Sequence, residues 1–399
     1  MNLTVTLEHR FDQAPDGSVW TQVAFDYAFW QRYLTVFDSV RVVARVRPVT
    51  TIAGNWLRAD GAQVSFVPVP YYVGPWQYFR RSQQIHQALQ SALTATEAII
   101  LRVPSQLANV LESSLRQTRH PFGLEIVGDP YDGFAPGATK NLLRPFFRWW
   151  FTQRLKHQCQ TSCATAYVTA TALQRRYPSQ PQVFSTDYSS IELPDSAFIS
   201  APRQHFNQNP LTLITVGSLA QLYKAPDVLI DAVALGRQQG LKLQLMVVGD
   251  GQYRRALEAR AKALGLQNYV QFYGQLPAGQ AIRDSLDRAD LFVLPSRQEG
   301  LPRAMIEAMA RGLPCIGSRV GGIPELLPDE DLVPVGNAAA LAAKIAEFAR
   351  NPDRLRDRSR RNLKKAWDYH DDCLKQRRTE FYGKVQEATT LWLTQHLVP

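Results

Sequence analysis

Short apolar runs alternate with amphipathic segments along the second half of the chain. Runs rich in Val, Ile and Leu predict strands at 212–217, 243–249, 269–272, 291–294 and 313–317. Helical spacing of apolar positions predicts helices at 227–237, 252–264, 279–288 and 302–311. Strands that alternate with helices form a parallel sheet covered on both faces. Such sheets bind ligands at the carboxyl ends of their strands.

The first half repeats this pattern less clearly. Strands are predicted at 3–7, 41–46, 63–68, 98–103, 124–127 and 166–168, and helices at 19–37, 82–95, 105–117, 146–164 and 170–177. The proline-containing stretch 198–210 is typical of a linker. The predicted α/β organisation is an N-terminal Rossmann-like domain (1–205), a C-terminal Rossmann-like domain (206–370) and a final helix (371–399) that packs back on the first domain.

Composition and charge exclude several classes of protein. The 399 residues are 45% hydrophobic and 20% charged, enough for two domains with their own cores. No apolar run reaches about 18 residues and the N-terminus has no signal-peptide core, so we expect a cytoplasmic protein. The net charge of +10 is not concentrated in one half, so we expect no nucleic-acid partner. The four cysteines are expected to be reduced and structural.

Two glutamates eight positions apart give the strongest chemical signal. Glu299 follows the predicted strand 291–294, Pro302 marks the start of a helix and Gly312 its end, so Glu307 lies on that helix. A helix N-terminus offers unpaired N–H groups and a positive dipole end, which suit a phosphate. Carboxylates on either side of a phosphate suit hydroxyl groups, a sugar at one end and a ribose at the other. The segment therefore predicts a site for a nucleotide sugar.

Three motifs in order make a resemblance specific. The Glu-x7-Glu segment at Glu299 and Glu307, the run Gly321-Gly322-Ile323-Pro324-Glu325, and the earlier Val247-Val248-Gly249-Asp250-Gly251 resemble the donor half of retaining glycosyltransferases of family 4. The resemblance extends over 211–348. It implies the GT-B architecture, in which two Rossmann-like domains face each other across a cleft. It also implies transfer of a hexose from a nucleoside diphosphate sugar to a sugar or lipid-linked acceptor, in polysaccharide synthesis, without a cofactor or metal.

The same resemblance assigns individual residues to the donor. Lys224 corresponds to the lysine that contacts the pyrophosphate, while Ser218 replaces the usual arginine and Ala225 the usual glycine. A serine cannot clamp phosphate as an arginine does, so Arg303 or Arg297 is expected to supply the missing charge. The donor-binding residues implied are Glu307, Gly300, Leu301, Ser218, Gly217, Arg303, Gly249, Asp250, Gly274, Leu276 and Gly17.

Glu299 and Lys224 are the candidate catalytic residues. The resemblance assigns Glu299 to hydroxyls of the transferred sugar, where it can also steady a developing oxocarbenium ion, and does not make it a nucleophile. In such enzymes the leaving phosphate oxygen takes the acceptor's proton on the same face. Lys224 and the amides of Gly300 and Leu301 would then stabilise the charge of the leaving group.

The first domain offers fewer candidates. Asp16-Gly17-Ser18 is predicted to precede a helix, where Gly17 would allow a close approach to the donor phosphate or Ser18 would simply cap the helix. Arg102 ends a predicted strand and is interpreted as a contact for an anionic group or as a partner of Glu97. Asp129 follows another strand and is the candidate carboxylate on the acceptor side.

Two other types of site are poorly supported. Asp329-Glu330-Asp331 resembles a metal-binding Asp-x-Asp motif but follows a turn, so we interpret it as a solvated loop. Gly249-Asp250-Gly251 follows a strand, yet Arg254 stands where a dinucleotide fingerprint has its third glycine. We therefore expect neither a metal nor a dinucleotide.

The segment 140–157, from Lys140 to His157, combines basic and aromatic residues without an acidic one. A basic amphipathic helix with Trp and Phe is typical of a peripheral contact with an anionic membrane, here the inner face. A core-packing helix with its arginines extended to solvent is the alternative.

Two other functions remain open at this stage. Sugar-nucleotide 2-epimerases share the GT-B fold and would form product without an acceptor. A catalytically degenerate partner subunit of a glycosyltransferase is the other alternative, because Ser218 and Ala225 depart from the phosphate loop.

Overall fold

A computed structural model describes residues 1–22, 24–54, 56–135, 143–207 and 209–396. Two α/β domains, each built on a largely parallel sheet, confirm the predicted fold class. The strands of the first sheet are β1 (Leu3–Gln13), β2 (Val19–Thr21), β3 (Val40–Pro48), β4 (Leu57–Arg58), β5 (Val64–Pro70), β6 (Ala98–Val103), β7 (Gly123–Ile126), β8 (Ala164–Tyr167) and β9 (Phe184–Asp187). Those of the second are β10 (Leu211–Val216), β11 (Leu243–Val248), β12 (Val270–Gly274), β13 (Leu291–Leu294), β14 (Cys315–Ser318) and β15 (Leu332–Val333).

Helices cover both sheets. The helices of the first domain are α1 (Tyr27–Gln31), α2 (Gly74–Ala92), α3 (Gln106–Thr118), α4 (Pro130–Gly133), α5 (Arg144–Thr161) and α6 (Ala172–Arg176). Those that follow are α7 (Pro226–Gln238), α8 (Arg254–Ala263), α9 (Gln280–Asp287), α10 (Arg303–Ala310), α11 (Ile323–Leu326), α12 (Ala338–Ala349), α13 (Pro352–Ala366) and α14 (Asp371–His396). Within the described residues, no helix is long and apolar enough to cross a membrane.

The second sheet has six parallel strands in the order β12-β11-β10-β13-β14-β15. This is the order of a dinucleotide-type Rossmann sheet, whose direction of winding reverses between β10 and β13. The loops after these two strands therefore diverge and leave a crevice. Lys224 and Glu299 both lie in those loops.

The first sheet has nine strands, with β1 paired to β3 and β6 in parallel. Its parallel part runs β5-β3-β1-β6-β7-β8-β9. Two short strands, β2 and β4, extend the far end of β1 as an antiparallel flap. The carboxyl ends of β7 and β8 point toward the second domain.

The predicted helix at 19–37 is wrong over most of its length. The chain reverses after β1 and returns as β2, with Asp12 opposite Trp20. Only α1 and a 3₁₀ turn at Tyr33–Thr35 are helical; residue 23 lies outside the described residues. Val19 and Thr21 are β-branched and favour a strand. Phe25 has a φ of 65°, which interrupts any helix that could extend back from α1.

The last helix, α14, leaves the second domain and packs on the first, against β6, β8 and β9. Phe381, Tyr382 and Val385 are its buried face. The Tyr382 ring lies 4.8 Å from that of Tyr33. A Cβ at Gly123 would lie 2.4 Å from Val385 Cγ2, so the glycine allows the helix to sit close to β7.

Candidate active site

The centre of the site is an ion pair between two loops of the second domain. Lys224 Nζ donates to Glu299 Oε1 at 2.5 Å, and Ser296 Oγ donates to the same oxygen at 2.7 Å. Glu299 is only 8% exposed. Among the described residues its second oxygen, Oε2, has no hydrogen-bond partner. One carboxylate oxygen is therefore held by the protein while the other is available to a ligand.

Two glycines hold the Glu299 loop in place. A Cβ at Gly321 would lie 2.1 Å from the carbonyl oxygen of Glu299, and Gly321 has a φ of 55°. The next residue, Gly322, donates its N–H to the Gly300 carbonyl at 2.7 Å. Only glycine permits this close approach of two backbones. The Gly321-Gly322 motif therefore fixes the loop that carries the carboxylate of Glu299.

The loop Gly249-Asp250-Gly251 packs in the same way on the loop that leads to Lys224. A Cβ at Gly249 would lie 1.9 Å from the Gly217 carbonyl oxygen, and one at Gly251 would lie 2.2 Å from the Ala220 nitrogen. The Asp250 side chain accepts from the Gly251 N–H at 2.7 Å and from Arg254 Nη1 at 2.9 Å. Arg254, which breaks the dinucleotide fingerprint, thus fixes Asp250.

Lys224 ends a 3₁₀ turn, Leu222–Lys224, that leads into α7. Its aliphatic stem lies along Gly217, where an added Cβ would be 3.2 Å from Lys224 Cγ. The following residue, Ala225, is in the left-handed region with a φ of 52°. The glycine of the resembling family is explained by this conformation, which alanine adopts at a cost.

Two arginines, Arg297 and Arg303, were expected to replace the phosphate-binding arginine at the position of Ser218. Arg297 forms a two-pronged pair with Asp227 at 2.8 and 2.6 Å and also donates to the Leu222 carbonyl. Its charge is therefore used inside the protein. Ser218 is exposed, and its Oγ accepts from the Ala220 N–H at 3.2 Å. Arg303 is exposed at the start of α10, with no ion pair among the described residues.

Glu307 lies on α10, half-buried, one turn beyond Arg303. Burial raises the pKa of its carboxyl, and the positive charges of Arg303 and Arg283 oppose that rise. The N–H groups of Gly300 and Leu301 precede the helix and have no backbone partner among the described residues. Pro302 is the N-cap rather than the first helical residue. This helix start thus offers unpaired donors between two carboxylates.

Gly274 and Leu276, which the resemblance assigns to the donor, lie at and just after the end of β12. Gly274 ends β12 with a φ of 73°, and its carbonyl accepts from the Gly249 N–H at 2.8 Å. Leu276 is half-buried beside Tyr273, where the two line a hollow against α9. Gly274 and Leu276 therefore lie next to the Gly249 loop at the edge of the sheet.

The interpretation of Arg102 as a contact for an anionic ligand is not supported. Arg102 is 7% exposed and Glu125, with which it forms an ion pair, is 2% exposed. Tyr33 bridges the two side chains: its OH donates to Glu125 at 2.9 Å and accepts from Arg102 at 3.0 Å. The alternative partner, Glu97, pairs with Arg41 instead at 2.7 Å. Because Glu125 neutralises it in the interior, the charge of Arg102 is not available to a ligand.

Asp129 is likewise occupied by the protein. Its Oδ1 accepts from the Tyr131 N–H at 2.8 Å, which caps α4, and from the Tyr177 hydroxyl at 2.5 Å. Arg176 pairs with its other oxygen. A carboxylate with all these partners has little capacity left for an acceptor.

Gly17 is in a hairpin turn, not before a helix. The Ala14 N–H donates to the Ser18 carbonyl at 2.9 Å, and the φ of Gly17 is 86°. The Ser18 N–H donates to Asp16 Oδ1 at 2.9 Å. Because β2 follows instead of a helix, no helix N-terminus stands here to face a phosphate.

The interpretation of 329–331 as a solvated loop is only partly correct. Asp329 and Glu330 are exposed, but Asp331 is fully buried and pairs with Arg358 at 2.6 Å and with Arg361. Asp331 thus ties α13 to the second domain. In the part of the chain that the structure describes, no group of three His, Cys, Asp or Glu side chains could hold a metal ion.

The basic aromatic segment is helical as α5 from Arg144; residues 140–142 lie outside the described residues. Phe146 and Trp149 are 52% and 59% exposed, whereas Leu155 and Cys159 are buried. The first half of the helix therefore presents aromatic rings to solvent and the second half packs in the core. The predicted membrane contact stays a prediction.

Two residues of the site were missed from the sequence. Ser296 is buried and holds Glu299, and its position two residues after β13 and three residues before Glu299 is the signal that could have found it. Glu325 belongs to a recognised motif, but its partners lie in the other domain, where no sequence spacing could place them.

Known proteins are similar to this chain in sequence and in fold. Residues 199–366 match the model of the family described as Glycosyl transferases group 1. Protein CapJ of Staphylococcus aureus is 26% identical over 327 residues, which cover 79% of this chain and 78% of CapJ. The putative colanic acid biosynthesis glycosyltransferase WcaL of Salmonella typhimurium is 35% identical over 150 residues, 35% of this chain and 36% of that protein.

The whole chain also matches solved structures. Sucrose-phosphate synthase from Thermosynechococcus elongatus superposes with a TM-score of 0.70 at 17% identity, over 97% of this chain and 100% of that one. At this identity the match establishes the fold, with two parallel sheets in two domains.

Proposed function

We propose that this chain, which has the GT-B fold and matches the group 1 glycosyl transferases over residues 199–366, transfers a hexose from a nucleoside diphosphate sugar to a sugar or lipid-linked sugar, with retention and without a metal. The observation that supports this best is the pair of Lys224 and Glu299 at 2.5 Å, beside a helix start with unpaired N–H groups. The ammonium of Lys224 and the N–H groups suit a pyrophosphate, and the carboxylate of Glu299 suits sugar hydroxyls.

In this proposal the leaving group is stabilised by Lys224. An ammonium has three donors, of which Glu299 takes one, so a pyrophosphate can be bound while the ion pair persists. The N–H groups of Gly300 and Leu301 would bind the same phosphate, and Arg303 would supply the charge that Ser218 lacks. Charge that develops on the leaving oxygen then meets donors that are already in place.

Glu299 would bind the transferred sugar through Oε2. Because Oε1 is fixed by Lys224 and Ser296, the free oxygen is pre-oriented toward a ligand. Glu307, on the other side of the helix start, would accept from the ribose. The leaving phosphate oxygen would take the proton of the acceptor on the same face, so the protein need not supply a nucleophile.

The cellular setting is proposed from the relatives and from α5. WcaL is named for colanic acid biosynthesis, which suggests a polysaccharide or its lipid-linked precursor as the product. The exposed rings of Phe146 and Trp149 beside Arg144 and Arg148 suit an anionic membrane surface. If so, the double variant Phe146→Ala/Trp149→Ala should lose co-sedimentation with vesicles of anionic lipid, and unchanged co-sedimentation would contradict the contact.

The experiment that tests the donor site is thermal stabilisation by a panel of UDP-, GDP- and ADP-sugars with EDTA present. A ligand at a hundred times its dissociation constant should stabilise the protein by about 2.7 kcal/mol. We expect one nucleotide class to raise the melting temperature of the wild type, and the variant Glu307→Ala to lose that shift. Glu330→Ala, which removes an exposed carboxylate outside the site, is the control.

The outcomes separate the proposed function from its alternatives. Stabilisation that needs a divalent metal would contradict metal independence. Conversion of the bound nucleotide sugar without any acceptor would favour an epimerase. No shift with any nucleotide sugar would favour a degenerate partner subunit.

A further inference from the structure

Glu325, the last residue of the Gly-Gly-Ile-Pro-Glu motif, reaches from the second domain into the first. Its Oε2 accepts from the Ala170 N–H at 2.6 Å. Its Oε1 accepts from the Thr171 N–H at 3.0 Å, the Thr171 hydroxyl at 3.1 Å and the Ala172 N–H at 2.5 Å. Both oxygens are thus used at the start of α6, on the loop that follows β8.

The same loop touches the candidate site. A Cβ at Gly322 would lie 3.2 Å from Thr169 Cγ2, and one at Gly300 would lie 3.8 Å from Val168 Cγ2. The same Cβ at Gly300 would lie 3.7 Å from the carbonyl oxygen of Val127, the residue after β7. The loops after β7 and β8 therefore lie close to Gly300 and Gly322, with little room for a side chain between them.

The linker side of the molecule is joined separately. There the Ile199 N–H donates to the Ala310 carbonyl at 3.1 Å, and Arg311 donates to the Ala197 carbonyl at 3.2 Å. The hydrogen bonds of Glu325 to Ala170 and Thr171 are therefore a second set of contacts between the two domains.

We propose that Glu325 is a positioning residue for the transfer, which holds loop 168–171 of the first domain against Gly300 and Gly322. This inference rests on the proposed function, because it concerns how an acceptor in the first domain meets a donor in the second. A carboxylate that accepts several backbone N–H groups at a helix start makes charge-assisted hydrogen bonds. Loss of those bonds would let the domains separate and leave the donor residues unchanged.

The test compares Glu325→Gln with Glu330→Gln, which removes the same charge at an exposed position of the same domain. The amide retains one acceptor oxygen and cannot accept all four hydrogen bonds. We expect a larger radius of gyration by small-angle X-ray scattering for Glu325→Gln alone. Release of nucleoside diphosphate from the nucleotide sugar that stabilises the wild type should fall about 10- to 100-fold in kcat. The melting shift and KM for that nucleotide sugar should stay within about twofold of wild type.

A second variant separates positioning from general damage. Thr171→Val removes only the hydroxyl donor, so we expect a smaller fall in kcat, and no further fall when it is added to Glu325→Gln. Additive losses, or a Glu325→Gln protein with wild-type radius and kcat, would overturn the proposal. If the wild type binds no nucleotide sugar, the proposed function fails, and the scattering comparison alone decides whether Glu325 holds the cleft closed.

Discussion

The loops that follow the strands differ in the two domains. In the second domain they leave polar groups that have no partner among the described residues: Glu299 Oε2, the N–H groups of Gly300 and Leu301, and the charge of Arg303. In the first domain the corresponding charged residues are satisfied internally, Arg102 by Glu125 and Asp129 by Arg176. Polar groups that a fold leaves unpaired at a strand end are available to a ligand, whereas paired ones stabilise the domain.

This contrast explains why the sequence motifs favoured one half. A motif records residue types and spacing, and in the second domain both follow from backbone geometry within a single domain. In the first domain the same types, an arginine and an aspartate after strands, have partners contributed by distant segments. Charge at a strand end is therefore not sufficient evidence of a site.

The largest expected effect is on the free energy of unfolding, and it tests whether Arg102 is structural. Replacement by Met leaves Glu125 as a buried, uncompensated charge, so Arg102→Met should lower the free energy of unfolding by about 3–5 kcal/mol. Urea unfolding followed by fluorescence measures the loss. The double variant Arg102→Met/Glu125→Gln removes both charges and should recover part of it.

Activity gives the second half of that test. If Arg102 only stabilises the fold, the fraction of Arg102→Met that remains folded should turn over the donor at the wild-type rate. A folded variant that binds donor normally but is slow in transfer would return Arg102 to the acceptor site.

Lys224 is expected to show the opposite behaviour. Lys224→Ala removes a charge from the leaving group and should lower kcat about 10²- to 10³-fold, as for loss of one donor to a developing anion. Steady-state release of nucleoside diphosphate measures it. Lys242→Ala, at an exposed position of the same domain, should keep wild-type kcat. A Lys224 variant with normal kcat would contradict its assignment to the donor.

Replacement of Glu307 should change stability and donor binding in opposite directions. Burial raises the pKa of Glu307 above its unfolded value, so the ionised form is disfavoured in the folded protein. Below the unfolded pKa, about 4.3, the carboxyl is protonated in both the folded and the unfolded protein, and stability is at its highest. As the pH rises through the folded pKa, the carboxyl ionises in its buried position and the free energy of unfolding falls. Glu307→Gln should therefore melt higher than wild type at pH 7 and equally near pH 4, yet lose stabilisation by donor. Equal melting temperatures at both pH values would contradict the shift.

The sequence predicted the second domain well because its period and motifs are local. Strand β13, the helix start at Pro302 and the glycine turns are each determined by residues within a few positions. It failed at 19–37, where pairing of Asp12 with Trp20 overrides an apolar pattern that also suits a helix. It also missed the partners of Arg102, Asp129 and Glu325, because contacts between distant segments leave no trace in spacing.

The smallest expected effect concerns Ala225, a strained position where the sequence departs from the motif of the family that it resembles. Ala225 has a φ of 52°, a conformation that costs a non-glycine residue about 1–2 kcal/mol. Ala225→Gly removes that cost but increases the entropy of the unfolded chain by about 0.4–1 kcal/mol, so the net change in unfolding free energy should be within about 1 kcal/mol. Urea unfolding and kcat, measured on the same preparation, check both consequences. Because Lys224 precedes this turn, near-unchanged stability with unchanged kcat would mean that alanine already holds the lysine correctly. A rise in kcat would mean instead that alanine at this position limits how well the loop places Lys224.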